Sequence, residues 1–175
     1  SIGSYPSRWR LMDFKIIYHC YGSSHSSVVA AAIHCGYLPK DRIPTTTELL
    51  NTPHYDRTMT RDLGTPFLIG RDPLGYEVYI LGRKSAAQLI ENLIPSMLKY
   101  YGHSPQKIIL VNALERLHLL TTIGGTLSRG LGLITIGRPL TIWGIKMSYF
   151  NFVELVESVQ KGLHSRSREF RAEEW

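Results

Sequence analysis

The chain has few cysteines and no long hydrophobic run. The two cysteines are Cys20 and Cys35, and about ten helical residues would hold them roughly 15 Å apart, too far for a disulfide. Reduced thiols favour a cytoplasmic location. No apolar run reaches the roughly 18 residues of a membrane span, and residues 1–11 lack the apolar core of a signal peptide. We therefore expect no membrane association.

Charged residues are also scarce. They make up 19% of the chain, against 43% hydrophobic residues, which predicts one folded domain with a full core rather than disorder. The chain has no dense Lys/Arg run and no aromatic-basic repeat, which argues against nucleic-acid binding. We predict one α/β domain at 13–163, an N-terminal extension at 1–12 and a charged tail at 164–175. Met12 precedes the first strand, so residues 1–11 are interpreted as a tag or an upstream extension.

Acidic residues are nearly missing from one span. Residues 83–146 contain eight Lys or Arg and two Glu, so this span carries the entire net charge of +6. The uneven distribution favours a cleft that is selective for anions. A basic surface without a ligand is the alternative.

The stretch 14–36 has the pattern strand, small-residue loop, helix. Residues 14–19 are rich in Ile and aromatics, 28–35 are apolar nearly all round, and Gly36 suits a left-handed helix cap. Between them lies the 20–27 loop, which is rich in serine. This arrangement presents backbone N–H groups to an anion.

One hypothesis for the 20–27 loop is a phosphate site, similar to a P-loop. The Gly-Lys-Ser/Thr ending of a P-loop is absent, and His25 stands there as a pH-dependent donor. Positive charge would then come from arginines later in the chain. The predicted ligand-binding residues are Tyr21, Gly22, Ser23, Ser24, His25, Ser26, Ser27, Arg83, Arg129 and Arg138.

A second hypothesis is a thiol nucleophile. His19-Cys20 followed by Ser26-Ser27 is similar to the cysteine phosphatase loop, HC-x5-R-[ST], although Ser26 replaces the arginine clamp. Cys20 and His25 are the candidate catalytic residues.

Two further alternatives remain open. A metal site made by His19, Cys20 and His25 matches no standard zinc spacing, so we predict no metal ligands there. The loop also fits a purely structural turn, which needs small residues and a serine cap. Asp56 and Asp62 are the candidates for binding Mg²⁺ with a nucleotide; the cofactor itself is left open.

Hydrophobic periodicity predicts the remaining elements. A capping box at Thr45 and Glu48 opens a short helix. Strands at 67–70 and 77–81 flank the turn Asp72-Pro73-Leu74-Gly75 and form an antiparallel hairpin. The later predictions are a helix after Ser85 that Pro95 kinks or splits, a strand at 107–112, a helix at 114–131, strands at 133–136 and 140–145, and a helix at 152–163.

This alternation predicts an α/β fold with three layers. We expect a mostly parallel central sheet with helices on both faces, one antiparallel hairpin, and the P-loop-like strand–loop–helix at its start.

The string KIIYHCYGSSHSSVVAAAIHCGYLP, with ILGR at 80–83 and IGGTLSR at 123–129, resembles a known family. This is the domain of unknown function DUF3189 of spore-forming Gram-positive bacteria. The resemblance covers about residues 14–162. Ser23 stands where the family usually has glycine, and Gly130 where it has a basic residue. The family implies no assigned activity.

The leading functional prediction is binding of a small phosphorylated ligand or nucleotide, with phosphoryl transfer or hydrolysis as its chemistry. The alternative is a non-enzymatic regulatory or interaction protein with a relic loop. A cysteine phosphatase-like enzyme is the third. The sequence does not decide the oligomeric state.

Overall fold

The computed structural model describes residues 14–57, 59–116 and 134–172. Within them, strands form one mixed sheet in the order β2-β3-β1-β4. The strands are β1 (Lys15–Cys20), β2 (Phe67–Arg71), β3 (Glu77–Gly82) and β4 (Ile108–Asn112). β1 pairs in parallel with β3 and β4, whereas β2 pairs antiparallel with β3. The α/β fold with a mostly parallel sheet and one hairpin is confirmed.

The described helices follow the same alternation. They are α1 (Ser26–His34), α2 (Thr46–Asn51), α3 (Ala87–Tyr100), α4 (Ile134–Met147) and α5 (Tyr149–Ala172), with 3₁₀ helices at Thr60–Asp62, Pro105–Lys107 and Ala113–Arg116. None of these helices combines the length and hydrophobicity that a membrane crossing requires.

Side chains of β1 alternate between the two faces of the sheet. Tyr18 and Cys20 face α1, since the Tyr18 hydroxyl lies 2.7 Å from His34 Nδ1 and Cys20 Sγ lies 3.1 Å from Ser27 Oγ. His19 faces α3, with its Nε2 3.3 Å from Glu91 Oε1. Helices therefore cover both faces of the sheet.

The core centres on α1. All nine residues of this helix are buried, because its small side chains let the backbone approach β1, β3 and α5 closely. Buried Phe152, Val156 and Leu163 of α5 complete this layer. The start of α1 is therefore held rigidly behind the end of β1.

The β2–β3 hairpin is tied to α1 through Asp72. One carboxylate oxygen of Asp72 accepts the N–H groups of Leu74 and Tyr76, both at 2.9 Å. The other oxygen lies 3.3 Å from His34 Nε2. The Tyr18–His34–Asp72 chain thus joins strand, helix and turn, and His34 has a structural role.

Several local predictions are confirmed. Thr45 and Glu48 form the capping box of α2, and Gly36 has a φ of +77° after α1. Of the two effects predicted for Pro95, a kink or a split, the split is wrong, because α3 runs continuously from Ala87 to Tyr100.

The strands predicted at 133–136 and 140–145 are wrong. Residues 134–147 form α4, with Pro139 inside it. Runs of Ile and Thr around a Gly-Arg-Pro sequence resemble a hairpin, and short apolar runs do not distinguish strand from helix. The exposed Leu140, Trp143 and Met147 show the helical spacing that the prediction missed.

Two other predictions lie at the limits of the described residues. In the helix predicted at 114–131, the described part belongs to the 3₁₀ helix Ala113–Arg116, and the rest lies outside the described residues. The charged tail after residue 163 continues α5 to Ala172.

Candidate functional site

The 20–27 loop leaves the sheet between β1 and α1 and folds over the end of β3. The Arg83 N–H donates to Cys20 O at 3.1 Å, and the Lys84 N–H donates to Tyr21 O at 2.8 Å. A Cβ at Gly82 would lie 3.1 Å from Ser23 Cβ and 3.2 Å from the Gly22 carbonyl carbon. The loop can pack this closely because residue 82 has no side chain.

Ser23 is the strained residue of the loop. Its φ of +57° lies in the left-handed region, which glycine adopts without steric cost. The side chain is buried, and its hydroxyl has no hydrogen-bond partner among the described residues. An unpaired buried hydroxyl costs about 1–3 kcal/mol, so a ligand that paired with it would recover that energy.

Cys20 lies between the loop and the first turn of α1. Its buried sulfur accepts the Ser23 N–H at 3.2 Å and lies 3.1 Å from Ser27 Oγ. The sulfur therefore has one hydrogen-bond partner in the loop and one in the first turn of α1.

His25 precedes α1 but does not cap it with its side chain. Its Nε2 lies 3.5 Å from Asp56 Oδ1, and its ring meets the Tyr55 ring edge-on at 5.3 Å. The Asp56 N–H donates to Ser24 O at 3.0 Å. Residues from two distant parts of the chain therefore form one side of the site.

Arg138 reaches the same place from α4. Its Nε lies 2.7 Å from Asp56 Oδ2. The interaction with His25 and, after it, the hydrogen bond from Arg138 lower the pKa of the Asp56 carboxyl to about 2. Arg138 is thus placed beside the loop, with its guanidinium paired to a carboxylate.

Arg83 is buried at the carboxyl edge of the sheet. It donates to His19 Nδ1 at 3.0 Å, Lys84 O at 2.6 Å and Asn112 Oδ1 at 3.0 Å. All three acceptors are uncharged at neutral pH, and no described carboxylate lies within 4.0 Å of the guanidinium. His19 and Asn112 face α3, so Arg83 lies on the sheet face opposite to Cys20.

His19 is held neutral in this environment. Burial first, and the Arg83 charge second, lower its pKa to about 4. Because Nδ1 accepts from Arg83, the ring proton resides on Nε2. His19 is thus a structural acceptor for a buried arginine.

The predicted site residues divide into three groups. Residues 20–27 form one contiguous turn with His25, and Arg138 adjoins it through Asp56. Arg83 shares the sheet edge but lies on the other face, and Arg129 lies outside the described residues. His19 and Cys20 point to opposite faces, so they do not form a metal site together.

Both magnesium candidates have protein partners in the structure. Asp56 is engaged by His25 and Arg138, and Asp62 accepts the Met59 N–H at 2.7 Å. The described side chains include no group of three His, Cys, Asp or Glu that could hold a metal.

Two contacts of the site were not predicted from the sequence: Asn112 with Arg83, and Asp56 with His25. Asn112 ends a predicted strand, and its position at the carboxyl edge was a usable signal for the contact with Arg83. The pairing of Asp56 with His25 had no local signal, because the irregular segment carries no periodicity.

A sequence model of the family described as Protein of unknown function (DUF3189) matches residues 15–161. No curated protein and no solved structure matches the chain.

Proposed function

The chain belongs to the DUF3189 family, whose description assigns no activity, and we propose from its geometry that the 20–27 loop binds the phosphate group of a small phosphorylated ligand. A nucleotide is one such ligand. The observation that carries the proposal is the buried, unpaired hydroxyl of Ser23 beside the start of α1. A helix N-terminus presents unpaired N–H groups and about half a positive charge, which favours an anion.

The position of the loop in the sheet supports the proposal. After β1, the chain adds β3 on one side and then β4 on the other. The direction of strand addition therefore reverses around β1. Open α/β sheets bind ligands at the carboxyl ends of strands where this reversal occurs.

Charge supports it as well. The span 83–146 carries the whole net charge of +6, and buried Arg83 brings a cation without a carboxylate to the same edge of the sheet. Backbone and cationic donors of this kind would also stabilise phosphoryl transfer or hydrolysis. The two free thiols are compatible with a reducing, cytoplasmic compartment.

A charge introduced into the loop tests the proposal. We expect inorganic phosphate, AMP, ATP or glucose 6-phosphate to raise the melting temperature of the wild type and to shift the amide NMR signals of residues 21–27. Ser24→Asp should abolish both effects by repulsion. Ser24→Asn should retain them, because the amide can replace the Ser24 donor to Gly22 O. If no probe has any effect on the folded wild type, the proposal fails.

A thiol enzyme is the second candidate, favoured by the Ser23 N–H that donates to the Cys20 sulfur and by the Ser27 hydroxyl 3.1 Å from it. Burial first, and Asp72 second, raise the pKa of Cys35 to about 12, so Cys35 is an internal reference of low reactivity. We expect iodoacetamide at neutral pH to alkylate Cys20 about tenfold faster than Cys35 or more. Equal, slow labelling would reject this candidate. Equal, slow labelling combined with a failure to bind phosphate would favour a non-enzymatic regulatory or interaction protein.

A further inference from the structure

Residues 52–57 form a turn that packs against the 20–27 loop. Tyr55 N–H donates to Thr52 O at 3.1 Å, and the Asp56 N–H reaches across to Ser24 O at 3.0 Å. His54 and Asp56 have φ values of +65° and +55°. Left-handed residues of this kind cost about 1–3 kcal/mol each and cluster at functional sites. The strained turn places the Asp56 carboxylate beside His25.

The carboxylate of Asp56 is held from two sides. Oδ1 lies 3.5 Å from His25 Nε2, and Oδ2 lies 2.7 Å from Arg138 Nε. Arg138 comes from α4, a different element from the turn. The aspartate therefore has a fixed orientation toward the histidine ring. The distance from Oδ1 to His25 Nε2 is longer than that of a typical hydrogen bond.

This orientation determines the tautomer of His25. A carboxylate opposite Nε2 favours the ring proton on Nε2, which leaves a lone pair on Nδ1. Nδ1 has no partner among the described residues, and 23% of the side chain is exposed. The nitrogen is therefore available to accept a proton or a hydrogen bond.

The neighbouring histidines lack this property. His19 has Nδ1 occupied by Arg83 and is fully buried. His34 has Tyr18 on one nitrogen and Asp72 on the other. His19 Nε2 also has no hydrogen-bond partner but is fully buried, so of these three histidines His25 alone has an unpaired ring nitrogen on a partly exposed side chain within the described part of the chain.

We propose that His25, oriented by Asp56, is the hydrogen-bond acceptor of the loop site and makes it prefer an anion that still carries a proton, such as monohydrogen phosphate, over a fully ionised one, such as sulfate. This proposal rests on the anion site proposed above. Asp56 is a positioning residue, because it acts through His25, and Arg138 fixes Asp56 in turn.

Phosphate and sulfate form a matched pair of probes. Near pH 8 both are dianions of similar size and shape, but phosphate keeps one P–OH group. That hydroxyl can donate to the Nδ1 lone pair, whereas a sulfate oxygen would face it as one acceptor facing another. A hydrogen bond of about 1–1.5 kcal/mol corresponds to roughly tenfold in affinity.

The experiment measures affinity by amide NMR titration of the full chain with inorganic phosphate or sulfate near pH 8. We expect the wild type to bind phosphate about tenfold more tightly than sulfate. Asp56→Asn should reduce this preference to about threefold or less, because the affinity for phosphate should fall more than the affinity for sulfate. Asp41→Asn, which makes the same charge change at an exposed position outside these contacts, should leave it unchanged.

The ¹⁵N shifts of the His25 ring in the ligand-free proteins provide a second measurement. We expect the Nε2–H tautomer in the wild type and a mixture in Asp56→Asn. A wild-type ring protonated on Nδ1, or equal affinity for the two anions, would contradict the role of His25. Neither result would contradict the proposed anion site. Failure of both anions to bind would overturn the anion site and the inference with it.

Discussion

His19 lies near the end of β1 and His25 directly precedes α1, and their surroundings differ. His19 is fully buried and accepts from Arg83, with a pKa lowered to about 4. His25 is partly exposed and faces the Asp56 carboxylate. The same residue type therefore serves as a neutral structural acceptor at one position and as the proposed hydrogen-bond acceptor for a ligand at the other.

Acid should destabilise the protein through His19. Its pKa falls from 6.5 to about 4 on folding, so between these values the unfolded state binds a proton that the folded state does not. Stability is therefore lost as the pH falls through this window. We expect this group to reduce the free energy of unfolding by about 2 kcal/mol between pH 7 and pH 5.

Urea denaturation at the two pH values checks this prediction in a His19→Gln variant. Glutamine cannot titrate, and its amide oxygen can still accept from Arg83. Between pH 7 and pH 5 the variant should lose about 2 kcal/mol less of its free energy of unfolding than the wild type loses. This difference does not depend on the stability of the variant at pH 7. Equal losses of unfolding free energy in the two proteins would contradict the assignment of this acid sensitivity to His19.

At the scale of elements, the contact between the 20–27 loop and the end of β3 depends on Gly82. A Cβ there would meet Leu63 Cδ2 at 3.0 Å as well as the Ser23 Cβ and the Gly22 backbone. We expect Gly82→Ala to displace the loop and destabilise the protein by about 1–3 kcal/mol. Phosphate should then no longer shift the loop signals in NMR spectra.

Gly162 supplies the matched control for this substitution. It lies inside α5, and a Cβ there would have no atom within 4 Å. Gly162→Ala should stabilise the protein by about 0.5–1 kcal/mol through helix propensity, and phosphate binding should persist. Thermal denaturation of both variants separates the two effects. A Gly82→Ala protein as stable as the wild type would show that the loop does not need this close approach.

Most elements could be predicted because their signals are local. The buried run of β1, the capping box of α2 and the hairpin turn at Asp72 each depend on residues close in sequence. Helix α4 could not be predicted in this way, because its Gly137, Pro139 and β-branched residues are typical of strands and a turn, and short apolar runs do not distinguish a strand from a helix.

At the scale of the whole molecule, the order of the strands brings the ends of β1, β3 and β4 to one edge. At that edge lie Cys20, Arg83 and Asn112, which come from three separate parts of the chain. The prediction that arginines from the second half supply charge to the loop depends on this order. The sheet separates two of these side chains, with Cys20 on the α1 face and Arg83 on the α3 face.

The helices on the two faces are packed to different degrees. Every residue of α1 is buried, whereas no residue of α3 is. The large apolar side chains Leu89, Leu93 and Met97 of α3 are exposed. Sequence periodicity does not predict this degree of exposure, because burial depends on what the rest of the chain places against a helix.

The sequence by itself determined the α/β class, the family and the turn between β1 and α1, because hydrophobic period, small residues and caps act over a few positions. Only the tertiary structure decided the partners of the site: Asp56 beside His25, Arg138 on Asp56, and Arg83 on the opposite face from Cys20. The physical reason is that hydrogen bonds and ion pairs between distant segments follow from strand order and face. Local sequence patterns predict neither the order of the strands nor the face of the sheet on which a side chain lies.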